Sequence, residues 1–102
     1  MNDEHAPNHY RTRMFRLGQL IATPAAIAAL QAADTDPADL LQRHVTGDWG
    51  DIDAEDRDEN ARAVVRGSRI LSAYKLAATQ ATIWVITEAD RSVTTLLLPE
   101  DY

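Results

Sequence analysis

Apolar residues change their spacing several times along this chain, and each change marks an element. Phe15, Leu17 and Ile21 fall at period two, which predicts a strand with Gly18 as a weak point or bulge. The stretch TPAAIAALQAA opens on Thr23, a good N-cap, and Pro24, a good first helical residue. Ile27 and Leu30 then share one face of an Ala-rich helix. DTDPADLLQRHVTG repeats the device: Asp36 caps, Pro37 follows, Leu40, Leu41, His44 and Val45 form the apolar stripe, and Gly47 stops it. A third helix is expected over 54–66, capped by Asp53 and closed by Gly67, with Ala61, Val64 and Val65 as its buried face. Beyond Gly67 the segments 69–76, 82–88 and 92–98 are rich in β-branched and aromatic residues, so they read as strands. Their short connections imply an antiparallel meander that ends at Pro99.

The pattern therefore predicts an α+β fold: an N-terminal strand, two to three helices, then a three-stranded antiparallel meander packed against them. Tyr74, Trp84, Ile86, Val93, Leu96 and Leu98 are the candidates for the sheet core. Residues 1–13 are polar, contain Pro7 and show no period, so they read as a flexible arm before a single domain over 14–102.

Composition adds exclusions. No Cys is present among the 102 residues, which removes disulfides, thiol catalysis and Cys-ligated metals. No apolar run approaches the roughly 18 residues that span a bilayer. The first residues are too polar for a signal peptide, so a cytoplasmic protein with no membrane partner is expected. Charge changes the picture more. The net charge is −6, but residues 34–60 alone carry −8 and the remainder +2. Phosphates are repelled by such a middle segment, so direct nucleic-acid binding through it is disfavoured and a basic partner is favoured.

The acidic segment is HVTGDWGDIDAEDRDEN. Most of its acids have a local use: Asp53 as cap, Glu55, Asp56, Asp58 and Glu59 near the positive end of the helix dipole, and Asp58 paired with Arg62 one turn on. Asp48, Asp51, Asp53 and Asp56 offer oxygen ligands, but an EF-hand pattern is absent and no metal or other cofactor is expected there. Asp3, Glu4, His5 and His9 have a spacing that suits a metal only on a helix, which Pro7 opposes. Trp49 is expected to be at least half buried as the plug of its loop, with an interface anchor as the other reading. Asp48 and Asp51 gain nothing from the helix. Asp48, Trp49, Asp51, Asp56 and Glu59 are therefore the candidate partner-binding residues. His44 lies on the apolar side of the second helix and reads as a packed, hydrogen-bonded residue.

Two resemblances follow from the C-terminal half. RILSAYKLAATQATIWVITEADRSVTTLLL resembles the last three strands of barnase-type ribonucleases, in which an Arg opens the first strand and a His lies in the hairpin before a Thr-rich strand. Arg69 matches that Arg. Asp90 and Arg91 stand where the His would be, which removes the usual general acid. The resemblance implies a site drawn from Arg69, Tyr74, Glu88, Arg91 and Thr95 if the chain is nuclease-like; otherwise no catalytic residue is expected. LGQLIATP, GDWGD, DRDEN, RILSAY and WVITEADRSVTTLLLPEDY together resemble small "plasmid-related" proteins of proteobacterial mobile elements, sometimes labelled as a type I restriction subunit. A methyltransferase subunit needs a far larger cofactor domain than this chain holds. The expectation is a mobile-element accessory protein that binds another protein, with a counter-defence inhibitor of anti-CRISPR or anti-restriction type as one form. A ribonuclease-like toxin or its degenerate relative is the alternative.

Overall fold

The computed structural model describes residues 12–102. All but two residues of the expected N-terminal arm, and with them Asp3, Glu4, His5 and His9, lie outside that range. Strand β1 (Gln19–Ala22) leads into three helices, α1 (Pro24–Ala32), α2 (Pro37–Val45) and α3 (Ala54–Arg66). Strands β2 (Ile70–Lys75), β3 (Thr82–Thr87) and β4 (Val93–Leu97) follow, and a 3-10 turn covers Pro99–Asp101.

Each helix starts where its capping chemistry predicts. Thr23 accepts from the amide of Ala26, Asp36 from that of Ala38, and Asp53 from that of Asp56, satisfying one otherwise orphaned donor per helix. Gly67 closes α3 in the left-handed conformation. Replacing Asp53 with Ala is expected to cost about 1 kcal/mol, a drop of about 4–8 °C in thermal midpoint for a domain of this size. That drop should be the same with and without Ca²⁺ or Mg²⁺, as differential scanning calorimetry would show.

The fold is α+β, as the pattern predicts, but the sheet differs from a three-stranded meander. It has four strands in the order β1-β4-β3-β2, and β1 joins it parallel to β4, pairing Gln19 with Val93 and Ala22 with Leu96. β2–β3 and β3–β4 are antiparallel. The sheet is thus mixed, and the helices lie between its first and second strands in sequence. Backbone pairing explains the difference: without β1, the outer edge of β4 would present unpaired amides and carbonyls. The first strand is also shorter than the period-two run suggests, beginning only after Gly18.

Register divides the sheet into two faces. Ile70, Ser72, Tyr74, Ile83, Val85, Thr87, Thr94 and Leu96 share the face that meets the helices. Tyr74, Ile83, Val85 and Leu96 form the main core there with Leu76, Ala26 and Leu30 of α1 and Leu40 of α2. A smaller cluster joins Trp49, Ala63 and Ile70, with Phe15, Ile52 and Val64 against it. The other face carries Leu71, Ala73, Trp84, Ile86, Thr95 and Leu97. The core candidates Tyr74 and Leu96 therefore look toward the helices, and Trp84 and Ile86 look away.

Helix α3 is rotated from its expected orientation. Ala61 and Val65 are exposed, Val65 at 86 %, and only Asn60 and Ala63 are buried, with Val64 half-buried. The cause is Asn60. Its amide nitrogen donates to the Leu71 carbonyl at 2.8 Å, and its oxygen accepts from the Leu71 amide at 3.3 Å. A polar residue takes a buried helical position because it can satisfy both backbone groups of an edge strand.

Candidate functional site

The segment 48–51 is held against the outer edge of β2. Asp51 donates its amide to the Ala73 carbonyl at 2.6 Å, and the Trp49 carbonyl accepts from Ala73 at 3.2 Å. The Asp51 carboxylate accepts from the Lys75 amide at 2.9 Å. Together with Asn60, these contacts take up the outward amides of Leu71, Ala73 and Lys75. An edge that invites strand addition is thereby filled from within the chain.

The partner-binding candidates separate accordingly. Trp49 is 9 % exposed and belongs to the core. Its indole N–H is buried without a hydrogen-bond partner, at a cost of about 1–3 kcal/mol. Burying about 200 Å² of indole returns roughly 5 kcal/mol, so packing wins. Asp48 is not left over, contrary to the sequence reading. Its carboxylate takes a two-pronged contact from Arg43 at 2.7 and 3.2 Å and accepts from the Gly50 amide. Its carbonyl accepts from the Tyr74 hydroxyl at 2.6 Å. Asp51 likewise has a structural use. The sequence hides Asp51's use because its partner Lys75 lies on β2, and Asp48's because its carboxylate turns back across the loop to Arg43 on α2. Asp56 and Glu59 remain on the solvent side of α3 with Glu55 and Asp58. Glu59, rather than Asp58, pairs with Arg62, which holds the Glu59 carboxyl below its ordinary range. Among the described residues no group of three or more His, Asp or Glu side chains is placed to hold a metal.

Of the five nuclease-type candidates, Arg69, Glu88 and Arg91 sit at one end of the sheet, where Arg91 donates to the carbonyls of Ser68 and Glu88, and Tyr74 stands apart from them. Tyr74 projects to the helix face and Thr95 to the opposite one. Tyr74 also lies four residues along β2 from Ile70, about 13 Å from the end where Arg69 and Arg91 sit. It is fully enclosed, and burial raises its hydroxyl above the ordinary tyrosine range. Arg91 is a clamp. Its guanidinium donates to the carbonyls of Ala63, Ser68, Glu88 and Ala89 at 2.7–3.2 Å and lies 5.4 Å from the Phe15 ring. It ties the last turn of α3 to the β3–β4 hairpin, where its backbone adopts a positive φ of 62°. Glu88 is exposed in that hairpin, and Arg69 is exposed with its guanidinium 5.8 Å from the Tyr102 ring.

His44 is the most perturbed titratable group in the physiological range. It is 0 % exposed, and burial, aided by the charge of Arg91, lowers its pKa to about 3. Hydrogen counting fixes its tautomer. Thr94 gives its only hydroxyl hydrogen to the Leu17 carbonyl at 2.7 Å, so Thr87 must donate to Thr94 at 2.7 Å. Thr87 must then accept from His44 Nε2 at 2.9 Å, and Nδ1 accepts from Ser72 at 2.5 Å. The chain Ser72–His44–Thr87–Thr94–Leu17 runs in one direction and is closed to solvent. It ties α2 to β2, β3, β4 and the segment before β1.

One grouping escaped the sequence reading. Arg62, Arg66 and Arg69 line a groove of about 200 Å³ at the C-terminal end of α3, with Glu59, Ala63 and Ser68. Their spacing of four and then three residues was the available signal. It reads equally well as complementation of the helix dipole by Arg62 and Arg66 near the C-terminal end of α3.

Compared with models of known families, with curated proteins and with solved structures, the chain matches none. No helix among the described residues is long and apolar enough to cross a membrane.

Proposed function

We propose that this protein is a non-catalytic accessory protein that binds a basic surface of another protein through the first half of α3. One observation carries the reading: α3 commits only Asn60 and Ala63 fully to the fold and turns Glu55, Asp56, Asp58 and Glu59 to solvent. Four carboxylates on little more than one helical turn make a negative surface that favours a positive one, steering encounter and fixing orientation more than adding raw affinity. The resemblance to mobile-element proteins suggests a nucleic-acid-handling surface of a host defence complex as the partner, engaged in the cytoplasm. Masking a phosphate-binding surface is a simple way for a small acidic protein to inhibit. The ribonuclease-like reading has less behind it, because Tyr74 is enclosed in the core away from the other candidates and both Tyr74 and Arg91 are held by backbone carbonyls.

Affinity capture from host extract tests the proposal. A specific basic protein should be retained by the wild type, released as salt is raised, and lost from a variant with Glu55→Gln, Asp56→Asn, Asp58→Asn and Glu59→Gln. Equal retention by the neutralised variant, or no specific retention by the wild type, overturns it. Harmless induced expression with intact cellular RNA is expected alongside; toxicity abolished by Arg69→Ala would favour the nuclease-like alternative.

A further inference from the structure

We propose that the opposite end of α3, with the adjoining helix-free face of the sheet, binds single-stranded nucleic acid. Phosphates would meet Arg66 and Arg69, and a base would meet Tyr102. Three observations meet at this place. Arg62, Arg66 and Arg69 line one groove, and only Arg62 is neutralised, by Glu59. Arg66 and Arg69 are exposed and have no carboxylate partner among the described residues. Arg69 lies 5.8 Å from the Tyr102 ring, and Tyr102 meets Trp84 edge-on at 5.8 Å between ring centroids. The groove therefore continues into an aromatic ladder.

That ladder is accessible. Tyr102 is 69 % exposed and Trp84 half-buried, and Trp84 projects from the face away from the helices. Planar guanidinium groups beside exposed aromatic rings suit a phosphodiester chain whose bases are free to stack, which describes single strands rather than duplexes. An acidic peptide would satisfy the arginines but leave the rings without a counterpart.

The net charge of −6 does not forbid this. Glu55 and Asp56 lie ten or more residues from Arg66, about 15 Å along the helix axis. That exceeds the screening length of about 8–10 Å at physiological salt. Nearer acids are Glu59, paired with Arg62, Asp101, engaged by Thr23, and the exposed Glu88 and Glu100, against which Arg66 and Arg69 supply the local positive charge.

The test is fluorescence anisotropy with labelled dT and rU 12-mers against the full chain. Two or three phosphate contacts predict roughly tenfold weaker binding between 50 and 200 mM salt. The Arg66→Ala/Arg69→Ala variant should bind about tenfold more weakly, with a flatter salt dependence and an unchanged thermal midpoint. Tyr102→Ala should lose about fivefold or more, whereas Tyr102→Phe should bind like the wild type. Unchanged binding by the double Arg variant, no anisotropy rise at the highest soluble protein concentration, or equal competition by polyglutamate overturns the proposal. Its failure leaves the acidic half of α3 untouched, because the two surfaces are probed by separate variants.

Discussion

Taking the protein from pH 7 to pH 4 is expected to cost the fold about 3 kcal/mol through His44 alone. In the folded chain His44 titrates at about 3, because burial disfavours its charged form. Unfolded, it titrates near 6.5. Between those values the unfolded state holds a proton that the folded state does not. The stability contributed by neutral His44 is therefore complete above about pH 6.5 and is lost as pH falls toward 3. Asp90, Asp101 and Glu59 have carboxyls held below their ordinary range, so they also favour the fold at neutral pH. Their contribution fades only once pH falls through the carboxylate range, which leaves the interval from 6.5 to about 4.5 to His44. Urea midpoints at pH 7, 5.5 and 4.5 would check this. His44→Gln should be less stable at pH 7 and lose less on acidification; an unchanged slope in that variant would assign the acid sensitivity elsewhere.

Gly50→Ala is expected to cost about 4 kcal/mol. Gly50 has φ of 76°, and an added Cβ would stand 2.1 Å from the Ala73 carbonyl oxygen and 2.6 Å from a Tyr74 ring carbon. The left-handed backbone alone accounts for about 1–2 kcal/mol with an L side chain. Relieving the clash means moving segment 48–51 off β2, which forfeits further edge hydrogen bonds at about 1 kcal/mol each. Gly67 supplies the control: its φ is 78°, but a Cβ there meets nothing within 4 Å. Gly67→Ala should show only the backbone component. Chemical denaturation of the two variants would separate them, and equal losses would mean that the packing of the loop on β2 contributes little.

The elements legible in the sequence are those decided by neighbours along the chain. Thr23, Asp36 and Asp53 act within three residues of where they stand, so their capping roles could be read directly. His44 was legible as a packed residue because helical spacing put it on the stripe with Leu40, Leu41 and Val45. What could not be read depends on distant partners. Period-two alternation marks a strand but says nothing about which strand lies beside it, so the parallel pairing of β1 with β4 was hidden. The orientation of α3 was misread because apolar spacing outvoted Asn60, whose value comes from Leu71 eleven residues away. Asp51 looked free for the same reason, whereas Asp48 looked free because its pairing with Arg43 needs the loop to fold back onto α2. At the candidate sites, the acidic surface was legible as composition. The arginine groove was visible only as a spacing whose second explanation was sufficient on its own.

The pairing of β1 with β4 stitches residue 19 to residue 93 and, at its other end, 22 to 96. Thr23 adds a side-chain tie to Asp101 at 2.7 Å. The two flanks of the domain thus close on each other like a clasp. Releasing the first strand would turn β4 into a bare margin and leave the Leu17 carbonyl no longer receiving Thr94, which feeds back into the hydroxyl relay beneath the helices. Ordering of that clasp must bridge a very long loop, so it belongs to the late, non-local part of folding.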